Sequence, residues 1–118
     1  MKIIIGDRGS GKTSRLIMES YYSRATIITP TTLDRENTLL RANEMVVTIP
    51  IPLTIRELMS MEPHARKRQF SDNGIIIDDL DRLLYELFSF LPINAISITN
   101  GGIADVLFIS DSLNNMEG

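Results

Sequence analysis

The sequence predicts an α/β fold with a mainly parallel sheet, and three observations carry that expectation. The runs KIII (2–5), ATIITP (25–30) and GIIIDD (74–79) hold unbroken apolar stretches, the pattern of strands covered on both faces. Between them lie segments with apolar residues at helical spacing, above all LDRLLYELFSFL (80–91). Strand-like and helix-like segments also take turns along the chain, as βα units do.

The elements follow in order. KIII ends at Gly6, and KTSRLIMESYYSR (12–24) then sets Leu16, Ile17 and Tyr21 on one helical face. ATIITP is a buried strand stopped by Pro30. TTLDRENTLLRANE (31–44) opens with threonines ahead of an acidic first turn, which is an N-cap signal. MVVTIPI (45–51) is expected to form a third strand. Thr54 and Glu57 stand at capping-box spacing and start a short helix, IRELMSM, which ends before Pro63. HARKRQFSDNG (64–74) is polar, basic and turn-rich, so a loop or edge hairpin is expected. GIIIDD is a fully buried strand with an acidic end. The long amphipathic helix of residues 80–91 follows, with Leu80, Leu83, Leu84, Leu87, Phe88 and Leu91 as its stripe and Pro92 as its stop. AISIT (95–99) and DVLFIS (105–110) come too close together for a parallel crossover. Either they form a hairpin at Asn100-Gly101, or AISIT finishes a helical segment and DVLFIS alone joins the sheet.

Bulk properties bound the function. The 118 residues suit a single domain spanning 1–118, with 43% hydrophobic residues to fill one core. A net charge of −3 gives no general attraction to nucleic acid, so such contact must come from a local patch. Without cysteine there is no disulfide or thiolate metal site, and the expected setting is a reducing cytoplasm. No signal peptide is expected, because the apolar start is short and runs into charge and glycine. The longest uncharged stretch, LFSFLPINAISITNGGIA, carries a proline, two asparagines and paired glycines, so no membrane span is expected.

The stretch GDRGSGKT (6–13) is the most informative. It has the form G-x-x-x-x-G-K-[ST], and it both follows a strand and opens a helix, as a phosphate-binding loop must. Gly6 lets the chain leave the strand sharply. Gly9 and Gly11 allow main-chain N–H groups to face phosphate oxygens. Lys12 is expected to reach the β- and γ-phosphates and the Thr13 hydroxyl to ligate magnesium, while the helix start adds its positive dipole end. Arg8, inside the loop, faces either the γ-phosphate or solvent. A carboxylate is then needed at the tip of another strand, and Asp78 stands there, followed by Asp79 and Asp81. The competing reading makes these acids simple helix caps, and for Asp81 that reading is preferred.

Through GDRGSGKT and IIIDDLD the chain resembles the P-loop NTPases, in the branch where a second acid follows the Walker B aspartate. The resemblance implies a three-layer P-loop fold around a minimal RecA-like core, binding ATP with Mg2+. It implies a nucleotide site of Gly6, Asp7, Arg8, Gly9, Ser10, Gly11, Lys12, Thr13 and Ser14, with Thr13 and Asp78 holding the metal. Lys12 and Asp79 become the catalytic pair, Asp79 standing where the family normally has glutamate. TNGGIADVLFISDS is similar to the region of phage and bacterial DNA-pumping ATPases where a strand ends in a polar sensor, so Asn100 and Asp111 (or Ser110) are sensor candidates. For Asn100 the alternative is a turn residue.

Arg66, Lys67 and Arg68 form the dense basic cluster, suited to nucleic-acid phosphate, to a finger reaching a neighbouring subunit, or simply to solvent. Phe70 alone makes no base-stacking platform, and His64 has no partner histidine or cysteine to share a metal. The function expected is a Mg-dependent ATPase coupled to nucleic-acid processing, such as packaging, replication or recombination. A motor this short is expected to act on DNA with further copies of itself or a partner protein. The alternative is a nucleotide-binding switch or assembly module with little hydrolysis. A small-molecule kinase fits less well, since no lysine or arginine follows residue 92, and no N-K-x-D motif points to guanine.

Overall fold

In a computed structural model, residues 1–7, 9–103 and 105–109 are described. Their elements are β1 (Lys2–Gly6), α1 (Lys12–Ser23), β2 (Thr26–Thr29), α2 (Thr32–Glu44), β3 (Leu53–Thr54), α3 (Ile55–Ser60), α4 (Pro63–Phe70), β4 (Ile75–Ile77), α5 (Leu80–Leu87) and β5 (Asp105–Ile109), with a 3-10 turn at Asn100–Gly102. The chain is α/β, and every strand pairing among the described residues is parallel. Contacts among the described residues divide it into two units, Met1–Lys12 with the described residues from Ile93 onward, and Thr13–Pro92.

In the first unit β1 pairs with β5 from Lys2↔Asp105 to Gly6↔Ile109. Of the two expected arrangements the hairpin does not form, and of the other only the sheet strand from DVLFIS is present. Asn100–Gly102 winds into a 3-10 turn, closed by Gly102 N–H donating to the Thr99 carbonyl at 3.0 Å, so the chain makes no hairpin there. AISIT has no regular structure, and its isoleucines Ile96 and Ile98 are exposed. β1 itself was expected to be covered on both faces but is only half-buried, because its two-stranded sheet leaves Ile5 open.

The second unit is built on a three-stranded sheet in the order β3-β2-β4. The central strand β2 shows why the middle of TIIT is apolar at both positions: its two isoleucines serve opposite faces. Ile27 packs with Ile17 of α1, Ala42 of α2 and Ile49. Ile28 packs with Ile55 and Leu58 of α3 and Leu83 of α5. Helices therefore cover both faces of this sheet. Both isoleucines are 1% exposed, so each contributes roughly 2–3 kcal/mol of apolar burial. The neighbouring β4 sits at an edge of this sheet, and Ile75 and Ile77 keep 41% and 43% of their surface open, contrary to the fully buried strand expected.

Three boundaries differ from expectation, each for a local reason. MVVTIPI is not a strand. Val46 takes a positive φ of 58° and Val47 N–H donates back to the Ala42 carbonyl at 3.1 Å, so these residues close the end of α2 as a Schellman turn. Pairing with β2 begins only after Pro52, at Leu53. The basic stretch from His64 is helical rather than a loop. Glu62 caps α4 by accepting from the His64 and Ala65 N–H groups, Pro63 occupies its first turn, and Ala, Arg, Lys and Gln are strong helix formers. SDNG then makes the turn, with Gly74 at φ 76°. Finally, α5 stops at Leu87, well before Pro92. Ser89 is left-handed and Phe90 N–H donates to the Tyr85 carbonyl at 2.8 Å, another Schellman closure. Thr31 and Thr54 cap α2 and α3 as expected, the latter in a full capping box.

Candidate functional site

β1 delivers the chain into the glycine loop through a close approach. A Cβ on Gly6 would meet the Ser10 hydroxyl oxygen and come within 2.9 Å of the Ile109 carbonyl, so only glycine fits between β5 and the returning loop. Ser10 N–H donates to the Asp7 carbonyl at 3.0 Å and tightens the turn. Gly9 and Gly11 take φ values of 81° and 90°, the left-handed region that side chains disfavour. Arg8 lies outside the described residues.

Two polar groups in this loop have unfinished chemistry. The Ser10 hydroxyl oxygen is buried with no protein hydrogen-bond partner among the described residues, which is costly unless a ligand supplies one. Lys12 Nζ folds back over the loop and donates to the Gly6 carbonyl at 2.6 Å and the Asp7 carbonyl at 2.9 Å. Two of the three ammonium donors thus hold the loop closed. α1 opens at Lys12 without an acidic residue in its first turn, so its positive end is not offset locally. Thr13 and Ser14 lie in that turn. Ser14 Oγ accepts from Arg41 Nε at 2.9 Å, a contact from α2 that no local sequence pattern announces.

The acidic strand end belongs to the second unit. Asp78 directly follows β4, its N–H donating to the Ile28 carbonyl at 3.0 Å, and the residue is only 9% exposed. Asp79 turns left-handed at φ 60°, ψ 64° and occupies the N-cap position of α5, yet its side chain makes no capping hydrogen bond. It meets Arg82 instead, whose Nη1 donates to Asp79 Oδ2 at 3.4 Å. Arg82 also grips Asp34 through two hydrogen bonds of 2.9 Å. Burial and the neighbouring Asp81 push the Asp79 carboxyl above its ordinary range, and Arg82 only partly opposes them. Burial pushes Asp34 the same way, but the hydrogen bonds from Arg82 and Thr31 outweigh it and hold that carboxyl below its ordinary range. Sequence reading missed Arg82, Asp34 and Arg41. Only the i, i+3 spacing of Asp79 and Arg82 was a signal for any of these contacts.

The remaining candidates scatter. Asn100 begins the 3-10 turn, while Asp111 and Ser110 lie outside the described residues. Arg66, Lys67 and Arg68 share α4, a helix without a buried residue. Arg66 Nη1 lies 3.4 Å from Met59 Sδ, whereas Lys67 and Arg68 are exposed in the last turn, where cations suit the helix dipole. Among the described residues no group of three or more His, Asp or Glu side chains could enclose a metal, and no helix is long and apolar enough to cross a membrane. A magnesium ion bound through a nucleotide needs no such cage. It takes hard oxygen ligands and keeps several waters, and the Thr13 hydroxyl and Asp78 carboxylate are donors of that kind.

No family model matches the chain, and no curated protein or solved structure matches it either.

Proposed function

We propose that the chain is a P-loop ATPase with a three-layer, RecA-like core in one domain, acting in the cytoplasm on nucleic acid. The observation that carries this reading is the loop after β1. There, two positive-φ glycines, an orphaned buried hydroxyl and a lysine folded across the turn meet the start of a helix. That combination suits a polyphosphate, whose oxygens accept from main-chain N–H groups, from Ser10 and from Lys12. Thr13 and Asp78 would hold magnesium, which when bound offsets charge on the β- and γ-phosphates.

Hydrolysis follows from the remaining residues. Asp79 accepts a proton from water as the water oxygen bonds to the γ-phosphorus. The bond from that phosphorus to the bridging oxygen breaks, and Lys12 offsets the charge on the departing diphosphate. Lys67 and Arg68, exposed on α4, supply cations for nucleic-acid phosphate, and assembly with further copies or a partner protein would complete a motor. One observation favours the second reading, a nucleotide-responsive assembly module with little turnover: Asp79 is a methylene shorter than glutamate.

Phosphate release measured with and without single- and double-stranded DNA, alongside titration with a fluorescent ATP analogue, separates these readings. DNA-stimulated release supports the motor, and binding without release supports the module. No binding of Mg-ATP would overturn both.

A further inference from the structure

Arg82 makes more contacts than a helix-surface arginine needs. Its Nη1 and Nη2 donate to Asp34 Oδ1 and Oδ2, each at 2.9 Å, so the guanidinium is held in the planar, two-point geometry that fixes its orientation. Asp34 is in turn fixed by Thr31, whose hydroxyl donates to Asp34 Oδ2 at 2.6 Å while accepting from the Asp34 N–H at 3.2 Å. From this anchored position Nη1 reaches Asp79 Oδ2.

The fold explains how residues 48 apart meet. β2 and β4 are parallel neighbours, so the turns after them lie at the same, carboxyl, end of the strands, where α/β proteins place ligands. Thr31 and Asp34 come from the turn and helix after β2, and Asp79 and Arg82 from those after β4. Asp79 is the end of this relay. Its left-handed backbone and absent cap leave its direction to side-chain contacts.

We propose that the Asp34–Arg82 pair is a positioning device for the Asp79 carboxylate, aiming a side chain shorter than glutamate at the water it activates. This rests on the reading of Asp79 as the hydrolytic base. Arg82 and Asp34 are positioning residues: they act through Asp79 and transfer no atom.

The test compares affinity for a non-hydrolysable Mg-ATP analogue with affinity for Mg-ADP and aluminium fluoride, which mimics the phosphoryl group in transfer. The protein should bind the second roughly 100-fold more tightly. Asp79→Asn should remove most of that preference. Arg82→Ala and Asp34→Asn should cut it about tenfold with unchanged affinity for the ATP analogue, and Arg82→Lys should restore part of it by offering one hydrogen bond. Circular dichroism melts identify any variant that fails to fold, and Arg82→Lys and Asp34→Asn are mild enough to decide the matter if Arg82→Ala does not. Lowered melting temperatures with the preference intact would make the pair a tie between α2 and α5 and overturn the proposal alone. An unaltered preference in Asp79→Asn, or none in the native protein, would overturn the role of Asp79 and the proposal with it.

Discussion

The ends of β1 and β4 both hand the chain to a helix, and they do so by opposite means. After Gly6 the chain is shaped by the main chain: glycines at positive φ, carbonyls gripped by Lys12, and a Gly6 that the neighbouring strand leaves no room to replace. After Ile77 the turn is shaped by side chains, Asp79 being left-handed and Arg82 shared between it and Asp34. A main-chain site needs only local residue types and is written in a short motif. A side-chain site depends on partners that arrive from elsewhere in the fold.

The two ends should therefore fail differently. Asp79→Asn should lower turnover by roughly 100-fold or more, the range expected when a general base is lost. On the proposed reading ATP affinity should stay unchanged, because the phosphates would be held by the loop after β1 and not by Asp79. Phosphate release together with analogue binding measures both, and a variant with native turnover would remove Asp79 from the chemistry.

Lys12→Ala should lower ATP affinity as well as turnover, because the lysine both holds the phosphates and offsets charge on the departing diphosphate. Losing a charge-assisted contact to phosphate costs about 1.5–3 kcal/mol, or roughly 10- to 100-fold in ATP affinity. The Gly6 and Asp7 carbonyls also lose their clasp, so the loop should become more accessible to protease. Native affinity in this variant would sink the assignment of the loop.

Within the loop the glycines are not equivalent. Gly6→Ala places a methyl against the Ser10 hydroxyl and the Ile109 carbonyl, and overpacking of that kind costs about 1–3 kcal/mol. Gly9→Ala meets no atom and carries only the strain of its positive φ, about 1–2 kcal/mol. Thermal melts should rank Gly6→Ala as the less stable. The opposite ranking would mean that backbone strain, not the approach of β5, governs this loop.

How much the sequence disclosed follows the same division. β1, the glycine loop, α1 and β2 lie where the residues indicate, and so do the caps at Thr31 and Thr54, because each depends on neighbours within a few positions. The misses have two causes, local signals that polarity or β-propensity outweighed in the reading, and tertiary context. MVV is apolar with two β-branched residues, yet it closes α2, with Val46 left-handed and Val47 N–H donating back to the Ala42 carbonyl. HARKRQ reads as a loop by polarity, yet Glu62 and Pro63 start a helix that needs no buried face. III before Asp78 suggests a strand covered on both faces, yet β4 is an edge of its sheet. The bond between Arg82 and Asp34 had no signature, because 48 residues separate the partners and only the parallel pairing of β2 with β4 brings them together.

The smallest expected effect tests whether that hidden bond does what the geometry implies. Asp34 is held below its ordinary carboxyl range in the folded chain, chiefly by hydrogen bonds from Arg82 and Thr31 that overcome its burial. Its pairing therefore adds stability that is fully present above the unfolded value near pH 4 and is lost as pH falls through the lowered folded value. Arg82 is partly open to solvent, so screening keeps the contribution below about 1 kcal/mol, a few degrees of melting temperature. Melting curves from pH 6 down to pH 2 should fall more steeply for the native protein than for Asp34→Asn, which has no carboxyl to protonate. Parallel curves would mean that Arg82 gives Asp34 no net stabilisation, and the end of β4 would then be as locally determined as the end of β1.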